Sequence, residues 1–190
     1  MTKPLLLDPL ARGYLVIMQY VDVASRLLLL TMFTLALVGK VSSRRAWDEF
    51  VASVGAMGVA GGAKVPAAVA TVAAEGGVIV LAAVPLRWAG SAAFVLAAGL
   101  LGCLAVAVAL VVRRGSTVAC RCFGPTQTPL GAGHVVRNVV LVVIALLGLA
   151  GSLVSGSFDP ALSVVVGVFG ATLGLLFARW DDLASLLAPS

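Results

Sequence analysis

Ser91 to Val112 reads SAAFVLAAGLLGCLAVAVALVV, 22 residues without one charged side chain, and Arg113-Arg114 follows at once. A helix of about 20 apolar residues crosses the hydrocarbon core of a bilayer. Only a helix or a closed barrel satisfies its backbone polar groups there. The stretch is therefore predicted to be a membrane-spanning helix stopped by two arginines.

The flanking sequence repeats the pattern. Val23 to Gly39 is a first span, entered through Arg26 and ended by Lys40. Both cations are expected to snorkel toward the two surfaces. Pro66 to Val84, Val135 to Val154 and Pro160 to Ala178 are further spans. The last ends in Arg179-Trp180-Asp181-Asp182, a mixture suited to the membrane interface. Across 190 residues, 61% are hydrophobic and 11% charged. A soluble domain carries about 25% charged residues, so lipid must solvate much of this surface.

Residues 46–62 have a different character. Trp47, Phe50, Val51, Val54, Met57 and Val59 fall near helical spacing, with Asp48 and Glu49 at the start. This predicts an amphipathic helix in the interface, ended by Gly61-Gly62. Pro66 suits the first turn of the next helix. The expected fold is an all-α integral membrane protein: a four-helix transmembrane bundle, a fifth C-terminal helix and the interfacial helix. Its expected divisions are an N-terminal segment 1–22, a transmembrane domain 23–182 and a tail 183–190. Asp8, Arg12 and Asp22 interrupt the first 22 residues, so no secretory signal is read there and the first span would direct insertion. The net charge of +5 lies in short loops, where it bears on topology and lipid headgroups. No soluble basic face exists to bind nucleic acid.

The candidate chemistry lies in Cys120-Arg121-Cys122-Phe123-Gly124, between the third and fourth spans. Two thiols one residue apart can reach disulfide distance, and strain in so small a ring makes the bond more easily reduced. Arg121, with Arg113, Arg114 and Arg137 near in sequence, favours the reactive thiolate. Inert packing of both cysteines and metal binding stay open as alternatives. With His134 the pair makes three ligands, one short of a usual structural zinc site, so no metal is assigned. His134 is read as an interfacial or helix-capping residue, and Cys103 as a small packing residue. Glu75 is the second candidate, a carboxylate midway along an apolar span. It must be protonated, paired or water-exposed. It either organises a polar pocket or pairs structurally with Lys40, Arg137 or Asn138. Arg137 and Asn138 open the fourth span and could support that pocket, stabilise a thiolate or anchor at the headgroups.

Taken in order, Gly39-Lys40, Pro66, Glu75-Gly76-Gly77, Cys120 to Gly124 and Arg137-Asn138 resemble the methylamine utilisation MauE family, within the DoxX-like group of small membrane bundles. The resemblance covers roughly residues 23–155. It implies action beside a thioredoxin-like, MauD-like partner in maturing a disulfide-containing protein such as methylamine dehydrogenase, as part of methylamine metabolism. The layout also resembles vitamin K epoxide reductase, where a cysteine pair opens the fourth helix beside a quinone site. Here the pair is Cys-x-Cys, and no second pair follows the first span, so a separate thiol protein would have to complete any relay to quinone. Quinone stays open as a cofactor. Whether the chain is itself an enzyme also stays open. The competing class is a non-catalytic membrane scaffold or assembly factor. A carrier using Glu75 is weaker, since no inverted repeat is evident.

Charge and chemistry disagree on orientation. Lys40, Arg44, Arg45, Lys64, Arg113, Arg114, Arg121 and Arg137 flank the cysteine side, against Lys3, Arg12, Arg26 and Arg87 opposite. Basic loops favour the cytoplasm, whereas a persistent disulfide favours the periplasmic side. The adopted expectation is a multi-pass cell-membrane protein with the cysteine loop outside.

Overall fold

The computed structural model describes residues 9–114, 131–154 and 159–179. Six α-helices appear in it: α1 Pro9–Val41, α2 Arg44–Ala56, α3 Lys64–Ala83, α4 Arg87–Arg113, α5 Ala132–Ser152 and α6 Pro160–Ala178. All but α2 are long and apolar enough to cross a membrane. Helices α1, α3, α4 and α5 close a ring in which each touches the next, and α6 packs on the outside of α1. The expected four-helix bundle with a fifth helix is the architecture observed.

The core is small and apolar. Met32 and Phe33 of α1, Val78 of α3, Leu101 of α4 and Leu141 of α5 are fully buried. Large apolar side chains also cover the outside: Val95, Val106, Val164 and Phe169 are exposed. In water such a surface would aggregate; in lipid it is the solvated face.

Several expectations need correction. Helix α1 begins at Pro9 rather than near Val23 and runs 33 residues. Asp22 and Arg26 interrupt the apolar pattern without breaking the helix, because they pair across one turn at 3.4 Å. One cation of the first span, Lys40, does not snorkel. Lys40 is 2% exposed, and the Arg26 guanidinium donates to the Val84 carbonyl at 3.2 Å. Cys103 is exposed on α4 rather than packed. It faces away from the side of α4 that buries Leu101 and Ala105.

The amphipathic segment is a helix, but a shorter one than predicted. Gly58, at φ +101°, turns the chain after Ala56, ahead of Gly61-Gly62, which instead open a short 3-10 turn over Gly61–Ala63. Pro66 stands in the first turn of α3, as expected. Phe50 and Val54 of α2 pack on Ala68 of α3, so α2 leans across the end of α1 and the first half of α3. Ser43 caps α2, its Oγ accepting from the Ala46 amide at 3.1 Å. Ser43→Ala is expected to cost about 1 kcal/mol. Hydrogen exchange should then rise in residues 44–47 and stay unchanged in α4.

The α1–α6 contact is set by small residues. Gly167, Gly170 and Gly174 share one face of α6. A side chain at Gly170 would fall on the Ala24 carbonyl, and one at Gly174 would lie 2.5 Å from the Leu28 carbonyl. Close backbone approach of this kind is how membrane helices gain attraction when lipid is as apolar as their side chains.

Candidate functional site

Helix α3 carries Glu75 into the bundle on its buried face, in register with Ala68, Val78 and Ala82. Lys40, in the last turn of α1, meets it: Nζ donates to Oε1 at 2.7 Å, with the side chains 2% and 1% exposed. Lys40 Nζ also reaches the Ala36 carbonyl at 3.4 Å. Over it lies the Phe50 ring of α2, whose centroid is 5.3 Å from the ammonium. The cation thus has a carboxylate on one side and an aromatic face on the other, an arrangement that strengthens when water is excluded.

Helix α5 brings two more polar side chains to this end. Arg137 and Asn138 are 2% and 1% exposed, and Arg137 lies close enough to act electrostatically on Lys40. Glu75 Oε2 and Asn138 Oδ1 are buried without a hydrogen-bond partner among the described residues. A buried acceptor left unmet costs about 1–3 kcal/mol, so the cluster has capacity for a further donor. His134 has the local role expected of it. Its Nδ1 accepts from the Gly131 amide at 3.4 Å and helps close the first turn of α5.

Of the partners considered for Glu75, Lys40 is the one that pairs with it. The sequence reads Lys40 both as a surface anchor and as a partner for Glu75, and the pairing is what the structure shows; it reads Phe50 as an interfacial residue without a site role. Nothing in the local sequence connects α2 to a cation, so its cover over Lys40 had no sequence signal. Two basic residues of the cysteine side, Lys40 and Arg137, are interior groups and cannot face lipid headgroups. Arg44, Arg45, Arg113 and Arg114 remain exposed. Cys120, Arg121 and Cys122 lie outside the described residues, in the connection from Arg114 to Gly131. Among the described residues no cluster of His, Cys, Asp or Glu could hold a metal.

Five membrane-length helices among the described residues, four of them ringed about a buried Lys–Glu pair, define a multi-pass membrane protein. The model of the methylamine utilisation protein MauE family matches residues 18–151, and the chain belongs to that family. The match takes in most of α1, all of α2 to α4 and nearly all of α5, and leaves α6 beyond it. No curated protein and no solved structure matches the chain.

Proposed function

We propose that this chain is the membrane component of a thiol–disulfide exchange system, with Cys120 and Cys122 as the exchanging pair and a thioredoxin-like protein as its partner. A thiolate of the partner attacks one sulfur of the Cys120–Cys122 disulfide, and that bond opens to a mixed disulfide. The partner's second thiolate then displaces the chain's sulfur. Two electrons and two protons have passed from the partner's dithiol to Cys120 and Cys122. The oxidised partner can now form a disulfide in a target such as methylamine dehydrogenase. A membrane quinone, taking two electrons and two protons to become a quinol, is the acceptor class that would restore the pair.

The observation that carries this reading is the buried Lys40, Glu75, Arg137 and Asn138 cluster. It occupies the half of the bundle where α4 ends and α5 begins, the two helices that flank the cysteines. Cationic groups there, with Arg121, favour thiolate over thiol. Glu75 and Lys40, at 2.7 Å, can exchange a proton without moving.

Cys120→Ser and Cys122→Ser test it. One of the two variants should accumulate a mixed disulfide with the partner, seen as a reductant-sensitive band, and the double variant should show none. An adduct surviving in the double variant, or a double variant that fully complements a deletion, would return the chain to the scaffold class. Labelling intact cells with a membrane-impermeant maleimide gives the side. Modification only after reduction is the result expected of a periplasmic disulfide; modification only after permeabilisation, without reductant, would place free thiols inside and end this proposal.

A further inference from the structure

Helix α2 is 13 residues long, too short to span a bilayer, and it lies over the end of α1 that carries Lys40. One side of it is polar and exposed, with Arg44, Arg45 and Asp48. The other side is apolar. Phe50 and Val54 rest on Ala68 of α3, with Trp47, Val51, Ala67 and Val72 around them. The Trp47 and Phe50 rings stand 6.1 Å apart and tilted, and Phe50 faces the Lys40 ammonium at 5.3 Å. The side chain that joins α2 to α3 therefore also covers the buried ion pair. The hydrogen bonds of Ser43, Arg45 and Ser53 run within α2 itself.

Two opposing effects bear on where α2 rests. Closing over Lys40 and Glu75 strips water from both ions, a cost that their mutual attraction repays only when every remaining polar atom is met. Glu75 Oε2 has no hydrogen-bond partner among the described residues. Against this stands the apolar contact of Phe50 and Val54 with α3. That contact has a substitute. An amphipathic helix at a membrane surface can bury its apolar side among the acyl chains, so α2 loses little apolar burial on leaving α3. The chain on either side permits the movement. Ser42-Ser43 alone link α2 to α1. Behind it come Gly58, at φ +101°, and then Gly61 and Gly62, where an added Cβ would meet nothing.

We infer that α2 is a lid on the Lys40–Glu75 pair. Closed, as in this structure, it keeps the pair dry. Open, it swings about Ser42-Ser43 and the glycines, its apolar side settles into the membrane surface, and water and protons reach both ions. The lid acts on the pair itself and stands apart from the cysteine chemistry.

Carbodiimide labelling of the full chain in phosphatidylcholine nanodiscs tests this. A water-soluble carbodiimide activates a carboxylate. Glycinamide, or Lys40 itself, then captures it as an amide, and the carbodiimide leaves as its urea. Peptide mapping by mass spectrometry reads the modified fraction at Glu75. In the wild type Glu75 should react at least tenfold more slowly than the exposed Asp48. Val54 touches Ala68 and is not the side chain over Lys40, so Val54→Ala loosens the lid without opening a gap above the ammonium. It should speed Glu75 labelling at least fivefold, with unchanged circular dichroism. Phe50→Ala should act in the same direction and more strongly. Gly170→Ala, at the α1–α6 contact beside Ala24, should leave Glu75 labelling as it is. An increase in Phe50→Ala with none in Val54→Ala would mean a fixed leak at the ring and no moving lid. Labelling that rises as much in Gly170→Ala as in Val54→Ala would mean general loosening. Either result, or a wild-type Glu75 as reactive as Asp48, would overturn the inference.

Discussion

Lys40→Met is expected to destabilise the bundle by about 3–5 kcal/mol, the cost of leaving a buried carboxylate without its counter-charge. Both members of the pair are essentially sealed from solvent, so no water replaces the lost ammonium. Lys40→Met also removes the cation that the Phe50 ring covers, which should loosen α2 as well. The double variant Lys40→Met/Glu75→Leu should recover most of the loss, because an apolar pair of similar volume replaces an ion pair at little or no net cost. Unfolding in mixed micelles with increasing SDS, followed by circular dichroism, gives the three stabilities. A double variant no more stable than Lys40→Met alone would mean that the cost comes from lost shape, not from an orphaned charge. The double variant also separates structure from chemistry. If it is stable yet fails to form the mixed disulfide, the pair serves the exchange reaction and is more than a structural rivet.

The other large effect is expected at Gly170. Even alanine there places a carbon on the Ala24 carbonyl, and backbone cannot swing aside as a flexible side chain would. Gly170→Ala should force α6 away from α1 and cost about 1–3 kcal/mol, the usual range for overpacking a tight contact. Gly167 supplies the comparison on the same face of the same helix. A Cβ there meets Leu27 Cγ at 3.6 Å, an ordinary contact, so Gly167→Ala should stay within about 0.5 kcal/mol of the parent. Both variants are read in the same SDS titration. Equal effects at the two positions would show that helix propensity, not the α1–α6 approach, sets the cost.

The spans were legible because the bilayer imposes a length and a polarity that any sequence crossing it must obey. Glu75 was legible for the same reason in reverse, a carboxylate among apolar neighbours. Lys40 stood among its three candidate partners, but nothing local singled it out from Arg137 and Asn138, because it lies 35 positions away. Asp22 and Arg26 misled in the opposite direction. As isolated charges they mark a helix start, but as a pair one turn apart they neutralise each other inside a continuing helix. Cysteine is small and apolar, which makes Cys103 read as packed, yet in a membrane protein an apolar residue is equally at home on the outer face. The residues of the cysteine pair stand out by composition alone. Phe50 took its place over Lys40 only through tertiary contact.

The glycine face of α6 follows α1 in the same direction: Gly170 lies beside Ala24 and Gly174 beside Leu28. With five membrane-length helices among the described residues, α6 therefore finishes at the end of the bundle from which Arg114 departs and to which Gly131 returns. A reporter enzyme fused behind α6 shares its compartment with these two flanking residues. Its activity tells on which side of the membrane they stand, without touching a single cysteine.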